Sequence, residues 1–233
     1  MKILVIGGMH GNEPLGIKLV ERLKKTPVLG VNAVIANPKA REINQRFTTT
    51  DLNRSFPGDD SSYEGTKVKE LLKLCKQFDL VLDFHNTHCS NNDCVFIGED
   101  AISLLINVAG FVGLKRVIVA DYNCINKYAT NCISVEISLD SPRNNVDKWI
   151  RIIEELAKKE ELPQFNDADR YRFAYRITLD DKSRFKLDAA TLRAFTPIDQ
   201  KLAIGMNVLP PAYPIFIDDA YTPYNYGGLL NKL

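Results

Sequence analysis

The feature that most constrains the fold is the pattern on which the chain opens. Lys2 leads into an apolar run, Ile3-Leu4-Val5-Ile6, that stops on Gly7-Gly8. A short run without polar alternation suits a strand covered on both faces, not one with a wet side. Amphipathic stretches and further runs of this kind then take turns along the chain. Residues 13–25 place Leu15, Leu19, Val20 and Leu23 at helical spacing, and residues 63–75 do the same with Val68, Leu71, Leu72 and Cys75. Residues 31–36, 80–84, 94–97, 116–120 and 133–137 read as strands, with a helix within 101–112. Ser141-Pro142 is expected to cap and open a helix over 143–159. Alternation of this sort implies an α/β fold, a mostly parallel mixed sheet flanked by helices.

The composition changes near Leu162-Pro163. Residues 170–179 alternate strictly, with Tyr171, Phe173, Tyr175, Ile177 and Leu179 set against Arg170, Arg172, Ala174, Arg176 and Thr178, the signature of a half-exposed strand. The remainder of the chain is rich in Pro and Tyr and lacks long helical periodicity. The expected organisation is a main domain over 1–162 and a small β-rich C-terminal appendage over 163–233.

Charge and cysteine usage narrow the class. Lys plus Arg number 30 and Asp plus Glu 29, a net charge of +1 that argues against a nucleic-acid partner. No apolar run approaches the length of a membrane span, and the opening run is too short for a secretory leader. Five cysteines, an odd number with no Cys-x-x-Cys pair, fit free thiols in a reducing compartment. A cytoplasmic protein with no membrane partner is expected.

Only three histidines are available, His10, His85 and His88. His10 and Glu13 stand in Gly7-Gly8-Met9-His10-Gly11-Asn12-Glu13-Pro14, where the first strand gives way to a helix. Ligand crevices of open α/β sheets lie at such carboxyl ends. His-x-x-Glu lets an imidazole and a carboxylate face one ion, although a capping Glu13 and a turn His10 would also fit the spacing. His85, in Leu82-Asp83-Phe84-His85-Asn86-Thr87, comes where another strand runs out. Two histidines and one carboxylate form the protein ligand set of catalytic zinc hydrolases, with a fourth position left for water. His88 falls on the following loop as a solvent-exposed group or an outer partner of the cluster, and Asp83 either orients His85 or is a plain strand-end residue.

Four stretches taken in order resemble one family. They are the Gly-Gly-x-His-Gly-Asn-Glu stretch, Asn37-Pro38-Lys39-Ala40, Asp51-Leu52-Asn53-Arg54-Ser55-Phe56 and Asp83-Phe84-His85-Asn86-Thr87. The sequence is similar to the aspartoacylase and succinylglutamate desuccinylase family, which is built on a zinc-carboxypeptidase-like fold. The likeness runs through the first 140 residues, weakens across 95–125 and resumes near the C-terminus.

The resemblance implies one zinc per chain held by His10, Glu13 and His85. It implies Glu136 as general base, Arg46 as the group that polarises the scissile acyl oxygen, and Asn53 with Arg54 as the clamp for a substrate α-carboxylate. Tyr221, in the stretch from Ala212, and Tyr128, in Tyr128-Ala129-Thr130, match its pocket segments. An arginine on a carboxylate is a charge-assisted, potentially bidentate contact. A strand-borne Glu136 must in any case be paired or functional, because an unpaired buried charge is costly.

The expected activity is zinc-dependent hydrolysis of a small N-acyl amino acid to a carboxylate and a free amino acid. A metallocarboxypeptidase acting on peptides and a non-catalytic zinc- or ligand-binding protein are the alternatives; a homo-oligomer is compatible with any of them. The chain departs from aspartoacylases in one respect. Asn131-Cys132 follow Tyr-Ala-Thr, where those enzymes carry an arginine for the aspartyl side chain. Weaker discrimination for N-acetylaspartate over neutral N-acetyl amino acids is therefore expected, with a C-terminal cation such as Lys232 or Arg193 as the alternative that would fill the gap. The chain is also shorter than usual for the family, and the shortfall is expected in the C-terminal part.

Overall fold

The computed structural model describes residues 1–59, 61–101, 103–221 and 225–233. The opening run becomes β1 (Ile3–Gly7), buried at every position. It is followed by α1 (Pro14–Lys25), β2 (Val31–Ile35), α2 (Pro38–Glu42), a single 3-10 turn at Leu52–Arg54, and α3 (Tyr63–Cys75). Next come β3 (Leu80–Thr87), β4 (Cys94–Gly98), α4 (Leu104–Phe111), β5 (Arg116–Ala120), α5 (Ile125–Tyr128), β6 (Cys132–Ser138) and α6 (Val146–Ala157). The C-terminal part adds β7 (Asp169–Ile177), α7 (Leu179–Phe185), α8 (Gln200–Gly205), β8 (Ala212–Ile215) and β9 (Gly227–Lys232).

All nine strands share one sheet, in the order β2-β1-β3-β6-β4-β5-β7-β9-β8. β2, β1, β3 and β6 run parallel. β4 pairs antiparallel with β6 and reverses the direction, and β5 and β7 then follow β4 in parallel. The last two pairings, β7 with β9 and β9 with β8, are antiparallel. The mixed, mostly parallel sheet is therefore as expected, and the C-terminal region continues it.

Both faces of the first strands are covered. Ile3 and Val5 pack with Leu15 and Leu19 of α1 and Trp149 and Ile153 of α6. Leu4 and Ile6 face the other way, onto Val68 and Leu71 of α3 and Val81 and Cys132. That two-sided burial explains why the sequence shows runs rather than alternation.

Two local expectations are corrected. α6 begins at Val146, because the Asn145 side chain accepts from the Lys148 amide and supplies the cap. Ser141 instead accepts from the Arg143 amide in the preceding turn and donates to Asp93. β7 alternates in exposure from Arg170 to Ile177 as expected, while its register against β9 shifts between Phe173 and Tyr175. Tyr171 and Phe173 accordingly pack with Cys94, Phe96 and Ile118, whereas Tyr175 and Ile177 pack with Met206 and Leu229 in a separate cluster. Leu179, expected to end the strand, is the first residue of α7, where Thr178 and Asp181 form a reciprocal capping box.

No described helix is long and apolar enough to cross a membrane. All five cysteines are unpaired thiols, four of them buried.

Candidate active site

The turn after β1 brings the first two ligand candidates inward. Gly8 adopts φ +64°, a conformation that side chains disfavour. At Gly11 a β-carbon would lie 2.1 Å from the Ala40 carbonyl carbon, so only glycine lets this turn pack against α2. Glu13 precedes α1 at the N-cap position yet makes no side-chain capping bond. Its carboxylate instead reaches His10 Nδ1 at 2.6 Å and His85 Nδ1 at 2.9 Å, one oxygen to each. The capping alternative for Glu13 is thereby excluded. His85 lies within β3, which continues to Thr87, and not at its last residue.

The far side of each ring is held by a second carboxylate. His10 Nε2 lies 3.1 Å from Asp51 Oδ1, and His85 Nε2 lies 2.8 Å from Asp83 Oδ2. Asp83 thus orients His85, and Asp51 does the same for His10. Asp51 also accepts from the Asn53 amide and from Arg46 Nε, which joins the clamp loop to the ligand cluster. Burial alone would raise the carboxyls of Glu13 and Asp51. The neighbouring histidines outweigh it in both, with Arg46 and Arg54 adding to the effect on Asp51, and hold them well below the usual range. Burial works against a charged His85, but Asp83 and Glu13 raise its pKa well above the ordinary value.

One ligand atom each from His10, Glu13 and His85 lies within 4.8 Å of the others, and all three residues are buried. Both Nδ1 atoms converge on Glu13 while both Nε2 atoms are tied to outer carboxylates. Outer partners of this kind fix imidazole orientation in metal centres, and two imidazoles with a carboxylate suit zinc. The residues present therefore fit the metal.

The cluster opens on a cleft lined by Arg46, Asn53, Arg54, Glu136 and Tyr221. Glu136 pairs in register with His85 across β3 and β6, which sets its side chain beside the cluster. Burial raises its pKa well above the ordinary value, and the negative charges of Glu13 and Asp219 add to that against His85 and Arg46. Arg46 stands 3.4 Å from Glu13 Oε1 and 3.1 Å from Asp51 Oδ2. Arg54 is exposed at the mouth, its guanidinium 4.8 Å from the centre of the Tyr122 ring. Tyr221 packs its ring against His88, 4.1 Å between centroids. Burial, then the charges of Glu13, Asp219 and Glu136, push its phenol up to about 12.

The structure brings eight of the nine predicted site residues together. Tyr128 is the exception: it stacks on Phe56 and donates to Asn123, away from the cleft lining. The aromatic ring of that region which does line the cleft is Tyr122. Lys232 pairs with Asp169 at 2.6 Å on the surface, and Arg193 lines a separate hollow with Cys89, so neither faces the ligand cluster. Asn131 donates to the Cys75 and Phe78 carbonyls.

Residues 1–97 match the family described as the succinylglutamate desuccinylase/aspartoacylase catalytic domain. Over these residues the chain is similar to that family. It is 28% identical over 147 residues to a probable aspartoacylase of Trichodesmium erythraeum, covering 56% of this chain and 50% of that protein. It is 33% identical over 114 residues to the human N-acyl-aromatic-L-amino acid amidohydrolase (carboxylate-forming), covering 40% and 36%. The chain thus matches half or less of the length of these curated relatives. Its fold is that of the succinylglutamate desuccinylase of Chromobacterium violaceum, with a TM-score of 0.75, 17% identity, and 100% of this chain and 84% of the other covered.

Within this desuccinylase/aspartoacylase frame, several lining residues escape a reading of sequence alone. Tyr122, Phe96, Phe216 and Asp219 all face the cleft. Asp219 accepts from Thr87 Oγ1 and from the Tyr221 amide, so it ties the C-terminal wall to the end of β3. Asp51 carried a usable signal, an acidic residue two before Asn53, in the position of an Asx cap. The others have no local signal, because their neighbours are distant in sequence.

Proposed function

We propose that the protein is a zinc-dependent hydrolase that splits an N-acyl amino acid into a carboxylate and a free amino acid. The observation that carries this is the convergence of His10, Glu13 and His85 beside an available Glu136 carboxylate, with an arginine at the cleft mouth. The family match over residues 1–97 and the names of the relatives support the same reaction class. His10, Glu13 and His85 would hold the zinc, whose chemistry when bound would be to acidify a water and polarise the acyl oxygen. Glu136, raised in pKa, takes a proton from the attacking water and delivers it to the leaving nitrogen. Arg46 faces the charge that develops on the acyl oxygen, an interaction of the kind worth about 3 kcal/mol in acyl transfer. Asn53 and Arg54 hold the α-carboxylate and set the scissile bond over Glu136. Tyr221, protonated across the working pH range, offers a hydrogen-bond donor from the opposite wall.

A peptide substrate would need an open groove. The segment carrying Phe216, Asp219 and Tyr221 closes one side of the cleft, which favours a small substrate. A screen of N-acyl amino acids with free amine release as the readout tests the reading. Release from at least one substrate, abolished by chelation and restored by zinc, is the expected result; release only from peptides would replace it with the carboxypeptidase.

A further inference from the structure

The stretch that carries Arg46 has little structure of its own. Between α2 and the 3-10 turn at Leu52–Arg54 the chain forms neither helix nor strand, and Thr48, Thr49 and Thr50 are exposed. The main-chain tie at Arg46 itself is a long one, from the Gly11 amide to the Arg46 carbonyl at 3.3 Å. An arginine on such a loop must give up both backbone and rotamer freedom to stay in one place. Arg46 is nevertheless half-buried, with one nitrogen 3.4 Å from Glu13.

Glu64 supplies the restraint. It stands in the first turn of α3, where a negative charge is favourable, and it is fully buried. Its Oε1 accepts from the Thr48 amide at 3.2 Å, from the Thr49 amide at 3.1 Å and from the Thr48 hydroxyl. Its Oε2 has no partner among the described residues. Burial would raise this carboxyl, but the Thr48 and Thr49 donors outweigh it and hold the group below the usual carboxylate range. Satisfying the donors does not call for so costly a group, because exposed threonines can bond to water. What the carboxylate adds is a fixed position for the loop. The clamp residues further along have other anchors: Asn53 Oδ1 accepts from the Ile125 amide at 3.4 Å, and Leu52 is buried with Phe56 and Val68. The strap from Glu64 therefore bears on Arg46 more than on Asn53 and Arg54.

We propose that Glu64 is a positioning residue, which straps Thr48 and Thr49 to α3 so that Arg46 faces the charge developing on the acyl oxygen. The inference rests on the hydrolase reading above. Glu64 touches neither substrate nor metal ligand and acts through the loop alone.

The test is a double-mutant cycle on zinc-loaded protein, using the best substrate of the N-acyl amino acid screen. Glu64→Ala is expected to lower kcat by about ten- to a hundredfold, the scale of a misplaced catalytic group, and to leave KM within about threefold. In an Arg46→Ala background the same change should cost less than about twofold, because the group it positions is gone. Glu64→Gln keeps one oxygen for the three donors and should recover most of kcat. Equal losses in both backgrounds, a loss confined to KM, or a lowered melting temperature with kcat unchanged would overturn the assignment. Hydrogen exchange of the metal-free protein reads the strap without activity. Peptides covering 46–51 should exchange about tenfold or more faster in Glu64→Ala, and those covering β3 at the wild-type rate. Unchanged exchange at 46–51 removes the strap. Should Glu64→Ala fail to fold, Thr48→Val replaces it in both measurements, since it deletes one strap bond from an exposed position. A smaller loss of kcat that vanishes with Arg46→Ala then supports the assignment, and unchanged kcat overturns it. A wild type inert toward every N-acyl amino acid would bring down the hydrolase reading instead, and the exchange result would decide the strap by itself.

Discussion

The two sides of the cleft are built on opposite terms. On the side made by β1 and β3, every charged group that touches the ligand cluster is buried or half-buried and already paired. Glu13 bridges two imidazoles, and Asp51 and Asp83 hold the same rings from behind. On the side made by β7, β9 and the segment before β9, aromatic rings form the surface and the cation, Arg176, is exposed. The first arrangement costs desolvation and repays it in fixed geometry, as a metal centre needs. The second leaves its charge in water.

The sharpest way to break this comparison is to remove a ligand from the pre-paired side. His85→Ala should lose tightly held zinc and all hydrolysis. Elemental analysis gives the result directly, and zinc retained at wild-type stoichiometry would take His85 out of the ligand set. Glu136→Gln should keep the metal and lower kcat by about 10²–10⁴-fold, the usual contribution of a general acid–base group. Turnover within a few-fold of wild type would make Glu136 structural.

Asp51→Asn probes the outer layer of the same side. The substitution keeps an acceptor for the Asn53 amide but removes the charge facing His10 and Arg46. Metal affinity, measured by competition with a chromogenic chelator, should fall about 10–100-fold. No change would mean that Asp51 serves the loop alone. The smallest effect belongs to the C-terminal surface: Lys232→Ala removes an exposed ion pair with Asp169 and should leave melting temperature and substrate preference indistinguishable from wild type. An altered preference for acidic substrates would restore Lys232 as the compensating cation.

Legibility in the sequence divides along the same line. β1, β3 and β6 announce themselves because strands buried on two faces need continuous apolar runs, and their carboxyl ends point to His10, His85 and Glu136. Glu13 is readable from its spacing to His10, although only the structure separates a ligand from a cap. Tyr128 is misplaced by sequence because the short α5 turns it onto Phe56 and leaves Tyr122 at the cleft. Arg176 reads as one of the outward arginines of a regular strand. It is exposed as that reading requires, whereas the one-residue slip of β7 against β9 leaves no mark in the sequence. The start of α6 is missed more narrowly, since Ser141 and Asn145 are both competent caps and the later one prevails.

The contact between Thr87 and Asp219 joins residues 132 positions apart. During synthesis the proposed ligands and base emerge early, whereas the wall that bears Tyr221 can dock only after β7 has extended the sheet. Contacts so distant along the chain form slowly, because the loop between them must be closed first. In refolding experiments, secondary structure seen by circular dichroism should therefore return ahead of hydrolytic activity. A chain interrupted between β6 and β7 would carry a nearly complete catalytic inventory in a cleft with one side missing.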